Sequence, residues 1–181
     1  EIARLGGIAG RMVEAMGSDP GALGELKAEA DALHARIADF LSQLAREDLS
    51  KQEGAKLRSR AQSAGEFHTL CDLLAERIAR FGDDESWTNP SQALFDLGQR
   101  IRKAISDATL AIAEDDQDAV ARVMAAKLPI EDDLVAIATT HGPEEMEIAN
   151  EFRLAYFLAR RVARAQRDDE VVPGAPEALP A

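Results

Sequence analysis

His68 and Asp72 lie four residues apart in a stretch with helical periodicity, so both side chains project from the same face. An imidazole and a carboxylate placed this way can chelate a divalent metal or iron ion. Asp31-x-x-His34 offers a second such pair on the preceding helix. A full di-metal bundle site draws four carboxylates and two Glu-x-x-His motifs from four helices, and this chain has no Glu-x-x-His. His68 and Asp72 are thus the candidate metal ligands, with a surface or helix-capping role as the competing reading. Cys71 sits beside them on the apolar side of the helix and reads as core, not as a nucleophile. A Cys71–His68 pair would also lack a third group to orient it. The sequence contains no P-loop, no Gly-rich phosphate turn and no Ser/His/Asp arrangement. Nothing in these residue types asks for an enzyme, and no cofactor is expected apart from the alternative of a metal.

The element that must position His68 and Asp72 runs from Ser50 to Phe81 and reads as one long helix. Ser50-x-x-Glu53 matches a capping box at its start. Leu57, Ala61, Ala64, Phe67, Cys71, Leu74, Ile78 and Phe81 form its apolar seam. Its end, LAERIAR (Leu74–Arg80), returns 84 residues later as LARRVAR (Leu158–Arg164). The first helix, about Ile2 to Met16, also returns: Leu5, Ile8, Arg11 and Met12 match Leu94, Leu97, Arg100 and Ile101 at an offset of 89. A period this long suits an internal duplication better than a solenoid. At the later offset, Phe152 and Tyr156 stand where the first copy has His68 and Asp72.

Between the ends of each copy lies a middle helix. In the first copy, Leu23, Leu26, Ala30, Leu33, Ile37, Phe40 or Leu41, and Leu44 form its stripe. In the second it spans about Asp116 to Thr139 and contains Pro129, which should kink or split it. Gly6 and Gly10 make a G-x-x-x-G pair on the first helix, read as close packing against a neighbouring helix. The last helix begins at Gly142-Pro143 and carries Arg153, Arg160, Arg161, Arg164 and Arg167. That cluster reads as a solvated face, with an acidic partner or lipid headgroups as the functional alternative.

Hydrophobic residues make up 46% of the chain but aromatics only 4%, so the core must be built from Ala, Leu, Ile and Val. That composition favours close-packed helices, and no alternating β-branched run is bounded by turn residues. The expected fold is all-α, with two tandem antiparallel three-helix units making a six-helix bundle. The units are expected at 1–82 and 91–168, with a connector at 83–90 and a disordered tail at 169–181. Trp87 is expected to fold back onto a groove within the connector. A net charge of −12 disfavours non-specific binding to nucleic acid or anionic membrane. One cysteine excludes an intramolecular disulfide framework. No apolar run approaches the roughly 20 residues of a membrane span. Helical periodicity is already running at Glu1, which reads as a fragment of a longer protein.

Leu26–Arg80 resembles the first repeat of a PhoU-like domain, in the version found C-terminal to bacterial sodium/phosphate cotransporters. The residues that carry the resemblance are Asp31-x-Leu33-His34-x-x-Ile37-x-x-Phe40-Leu41, then Leu44, then Leu49-Ser50-x-x-Glu53. Phe67 to Asp72 lie where that family has a Leu-Glu-Arg-Ile-Gly-Asp motif, with His68 in place of the Glu and Cys71 in place of the Gly. In PhoU itself such acidic motifs hold metal clusters, and only Asp72 of the acidic pair is present here. The resemblance implies a regulatory or assembly domain of a sodium-dependent phosphate transporter, on the cytoplasmic side of the inner membrane. Its implied partners are the transmembrane domain of the same polypeptide and a second copy, with no insertion of this part into the membrane. The alternatives are a free-standing PhoU-like adaptor of phosphate signalling, a metal-binding helical bundle, or a plain structural bundle.

Overall fold

The computed structural model describes residues 1–18, 21–77 and 91–168. All regular structure among them is helical. Helices α1 (Ile2–Ser18), α2 (Ala22–Leu44) and α3 (Lys51–Asp72) form the first set, and α3 continues as a π-helical turn over Leu73–Arg77. Helices α4 (Gln92–Glu114), α5 (Gln117–Ala125), α6 (Lys127–Thr140) and α7 (Pro143–Asp168) form the second. Within each set the first, middle and last helices all pack on one another. The two sets then meet along two seams, α1 against α4 and α3 against α7. Like helices therefore pair across the duplication, and the middle helices lie on the outside. The result is an all-α, six-helix bundle in which α5 and α6 together count as one broken helix.

Local chemistry explains most of the boundaries. Ser50 Oγ accepts from the Glu53 amide at 3.3 Å while the Glu53 carboxylate accepts from the Ser50 amide at 2.9 Å. This is the capping box expected for α3. Ser91 caps α4 through the Leu94 amide at 3.2 Å, and Glu145 of α7 accepts from both the Ser91 amide and hydroxyl. Asp115 ends α4 in the left-handed region at φ 55°, and Asp116 then caps α5 through the Ala119 amide at 3.0 Å. The middle helix of the second set breaks at Ala126. Pro129 has no amide to donate to Ala125, and its ring crowds that carbonyl. The proline thus falls in the first turn of α6, where a missing donor is harmless.

The core follows the duplicated pattern. Leu5, Ile8 and Met12 are buried, and so are their counterparts Leu94, Leu97 and Ile101. Arg11 and Arg100, also equivalent, both leave the core and reach the middle helix of their own set. Arg11 pairs with Glu29 at 2.9 Å and Arg100 with Asp133 at 2.7 Å.

Three expectations need correction. The buried seam of α3 begins at Ala64, because Leu57 is half-buried and Ala61 exposed. The α-helix that was to run on to Phe81 widens into a π turn after Asp72, and residues 78–81 lie outside the described residues. Of the two residues left open for the α2 stripe, Phe40 is 59% exposed and Leu41 packs against the core, so Leu41 holds it. Close packing occurs at Gly6 alone of the glycine pair. A methyl there would collide with Thr109 Oγ1 and with the Phe67 ring, whereas one at Gly10 would meet nothing within 4 Å. Trp87, the 83–90 connector and the 169–181 tail also lie outside the described residues.

Candidate functional site

Helix α2 presents Lys27, Asp31 and His34 at a spacing of four and three, which places them on one stripe. Helix α3 presents His68 and Asp72 towards that stripe, one turn apart. The two pairs picked out by their spacing therefore meet across the α2–α3 groove. His68 Nε2 lies 2.7 Å from Asp31 Oδ1, and its Nδ1 lies 3.6 Å from Asp72 Oδ2. The His34 and His68 rings stack at 4.1 Å between centroids, tilted by 14°. One donor atom each from Asp31, His68 and Asp72 falls within a 4.8 Å cluster.

The groove also contains a cation of its own. Lys27 Nζ sits 2.6 and 2.7 Å from the two oxygens of Asp31 and 2.9 Å from Asp72 Oδ1. Its ammonium bridges the two carboxylates that a metal ion would need and cancels one of their charges. A divalent ion taken up by Asp31, His68 and Asp72 would have to displace this tethered ammonium. In this arrangement His68 and Asp72 take part in an interhelical clasp centred on Lys27.

The clasp sets the charge states around it. The hydrogen bonds to Lys27 and then to His68 hold the Asp31 carboxyl below its ordinary value, against a smaller opposing effect of burial. Lys27 is raised, because its bonds to Asp31 and Asp72 together outweigh burial, the largest single influence. Burial and then the neighbouring His68 lower His34, which favours its neutral form. Cys71 lies beneath the groove with no exposure, and burial followed by Asp72 pushes its thiol up to about 12. A thiol held so far from ionising is not a nucleophile at neutral pH. The expectation that Cys71 is core agrees with this burial.

In the second unit the equivalent positions are filled differently. Phe152 is buried, and Tyr156 donates its hydroxyl to the Val123 carbonyl at 2.9 Å. That carbonyl lies in the last turn of α5, at the break caused by Pro129. Of the arginine cluster, Arg153, Arg161 and Arg164 are exposed and Arg160 is half-buried. Arg161 binds Glu66 of α3 at 2.7 Å, so it is more than a solvated charge. Lys27 and Glu66 are the members of these networks that spacing rules passed over. Lys27 was visible as the residue four before Asp31, but nothing in the sequence told which partner helix it faces.

A separate apolar cleft of about 490 Å3 opens where α1 begins, α2 ends and α3 begins. Ile2, Leu41, Leu44, Leu49 and Leu57 line it together with the exposed Phe40. No family model, no curated protein and no solved structure matches this chain.

Proposed function

We propose that this chain is a non-catalytic regulatory or assembly domain of the PhoU-like kind, attached to a sodium-dependent phosphate transporter on the cytoplasmic side of the inner membrane. The observation that carries the reading is the pairing of like helices across the duplication, α1 with α4 and α3 with α7. Two three-helix units joined in this way are the architecture that the resemblance over Leu26–Arg80 implies. The junction contributes too, since Leu49-Ser50-x-x-Glu53 forms a complete capping box. No helix among the described residues is long and apolar enough to cross a membrane, so transport would belong to the rest of the parent protein.

The test is fractionation of the full-length parent protein, followed by phosphate uptake with and without this domain. Recovery in the inner membrane after carbonate extraction, with uptake or its regulation altered by the deletion, supports the reading. A fully soluble parent would overturn it and put the free-standing adaptor first. A membrane-bound parent with unchanged uptake and regulation would leave only the structural bundle.

The metal-binding alternative retains one favourable observation, the convergence of Asp31, His68 and Asp72. Lys27 stands against it, and the decisive comparison is divalent-ion binding with and without that ammonium.

A further inference from the structure

The apolar cleft at the start of α1, the end of α2 and the start of α3 measures about 490 Å3. That lies within the range of small-molecule sites, about 300–1,000 Å3. Leu41, Leu44, Leu49 and Leu57 line it, and all four are only half-buried. The exposed ring of Phe40 lines it too, and also lines an adjoining hollow of about 270 Å3 with Leu33, Ile37 and Arg36. Apolar side chains left against water around one exposed ring favour an apolar occupant.

The charged residues of the cleft are unevenly matched. Glu53 accepts from the Ser50 amide at 2.9 Å, and Glu1 faces Arg4 at 3.9 Å. Lys56 and Arg60 line the cleft from positions one turn apart on α3, where like charges repel. No carboxylate among the described residues pairs with either of them. Arg60 donates to the Ile112 carbonyl at 3.2 Å, which fixes its guanidinium without neutralising it. In a chain with 33 acidic and 21 basic residues, two neighbouring bases without an acid are the less expected arrangement.

The geometry points to a single-chain anionic amphiphile as the occupant of this cleft. It is a fatty-acid anion whose hydrocarbon chain lies along Phe40 and the four leucines and whose carboxylate meets Lys56 and Arg60. Ammonium and guanidinium groups bind carboxylates through charge-assisted hydrogen bonds, and the apolar lining holds the chain. An anionic bilayer is a poorer match, because it would meet the −12 charge of the whole chain, whereas one carboxylate meets the local pair. Such binding requires no membrane-bound parent, so it stands or falls apart from the transporter reading.

The experiment is equilibrium dialysis of the full chain against radiolabelled laurate below its micelle concentration. Saturable binding at one site per chain is expected, with affinity rising up to about four-fold for each methylene added from decanoate to myristate. Protonated dodecylamine, of equal chain length, should bind at least about ten-fold more weakly, and Lys56→Glu should weaken laurate by about ten-fold. Phe40→Ser should weaken laurate as well. Lys56 and Phe40 are both exposed, so both variants are expected to keep the helix content of the parent chain. Equal binding of laurate and dodecylamine, or laurate binding untouched by Lys56→Glu, would overturn the proposal. Sedimentation with phosphatidylglycerol vesicles in the absence of laurate binding would also overturn it and assign the cleft to a membrane surface. A dimer that Phe40→Ser dissociates and that excludes laurate would overturn it in favour of a second copy.

Discussion

At the scale of single residues, the informative side chain is Lys27. Its ammonium makes the contacts that a bound cation would make, and it does so from the same stripe as Asp31. Lys27→Met should therefore leave Asp31, His68 and Asp72 as an open three-donor set. Thermal unfolding of the variant is expected to shift upward with added zinc or manganese, while the parent chain shows a much smaller shift. An equal, stoichiometric response in the parent would sink the clasp reading. The clasp also has a signature in pH. The Asp31 carboxyl is held below its ordinary value, so its contribution is present above about pH 4, the unfolded range. It is lost as pH falls through the lower folded value. Asp31→Asn should flatten that part of a plot of stability against pH. The effect is small because the side chain is 48% exposed and solvent screens it. Spacing alone identified Asp31, His34, His68 and Asp72 as chemically capable. It could not show that an ammonium stands among them, because Lys27 reaches Asp72 across two helices.

At the scale of the elements, the two units differ most in their middle helices. Pro129 broke one of them where its chemistry requires, a result legible from a single residue type. The compensation was not legible. Tyr156 occupies the position equivalent to Asp72 and donates to the Val123 carbonyl beside the break. Tyr156→Phe keeps the ring volume and leaves that carbonyl without its donor. The expected loss of stability is about 1 kcal/mol, measured by urea unfolding of the full chain. No loss would mean that the carbonyl is satisfied in another way. The start of α3 is equally specific. Ser50→Ala should cost about 1 kcal/mol, with helix content otherwise kept; an unchanged midpoint would show that Glu53 caps alone.

At the scale of the whole molecule, the two units are held together where three helices crowd onto Gly6. Its missing side chain lets α1 approach Thr109 of α4 and the ring of Phe67 of α3 at once. Gly6→Ala would raise helix propensity by about 1 kcal/mol, yet a methyl in that space has to move a buried ring or rotate Thr109, whose hydroxyl donates to the Ile105 carbonyl. Overpacking of this kind costs about 1–3 kcal/mol, so the expected result is a lower melting temperature despite the better helix former. A rise would show that the α1–α4 seam yields easily.

The sequence by itself determined the helical class, the duplicated register and the cap of α3. Each of these is written in spacings of three and four residues, in a repeated register, or in one residue beside its own amide. Ser50 with Glu53, Pro129 at the break, and Leu5 with Leu94 needed no partner from elsewhere in the chain. Only the tertiary structure decided what the polar residues do. Lys27 acquires its meaning from Asp72, Glu66 from Arg161 and Gln166 from Ser63, all contacts between helices far apart in the chain. A helical pattern states which face is buried, but not which face of which neighbour lies against it. The function of these residues resides in that second choice.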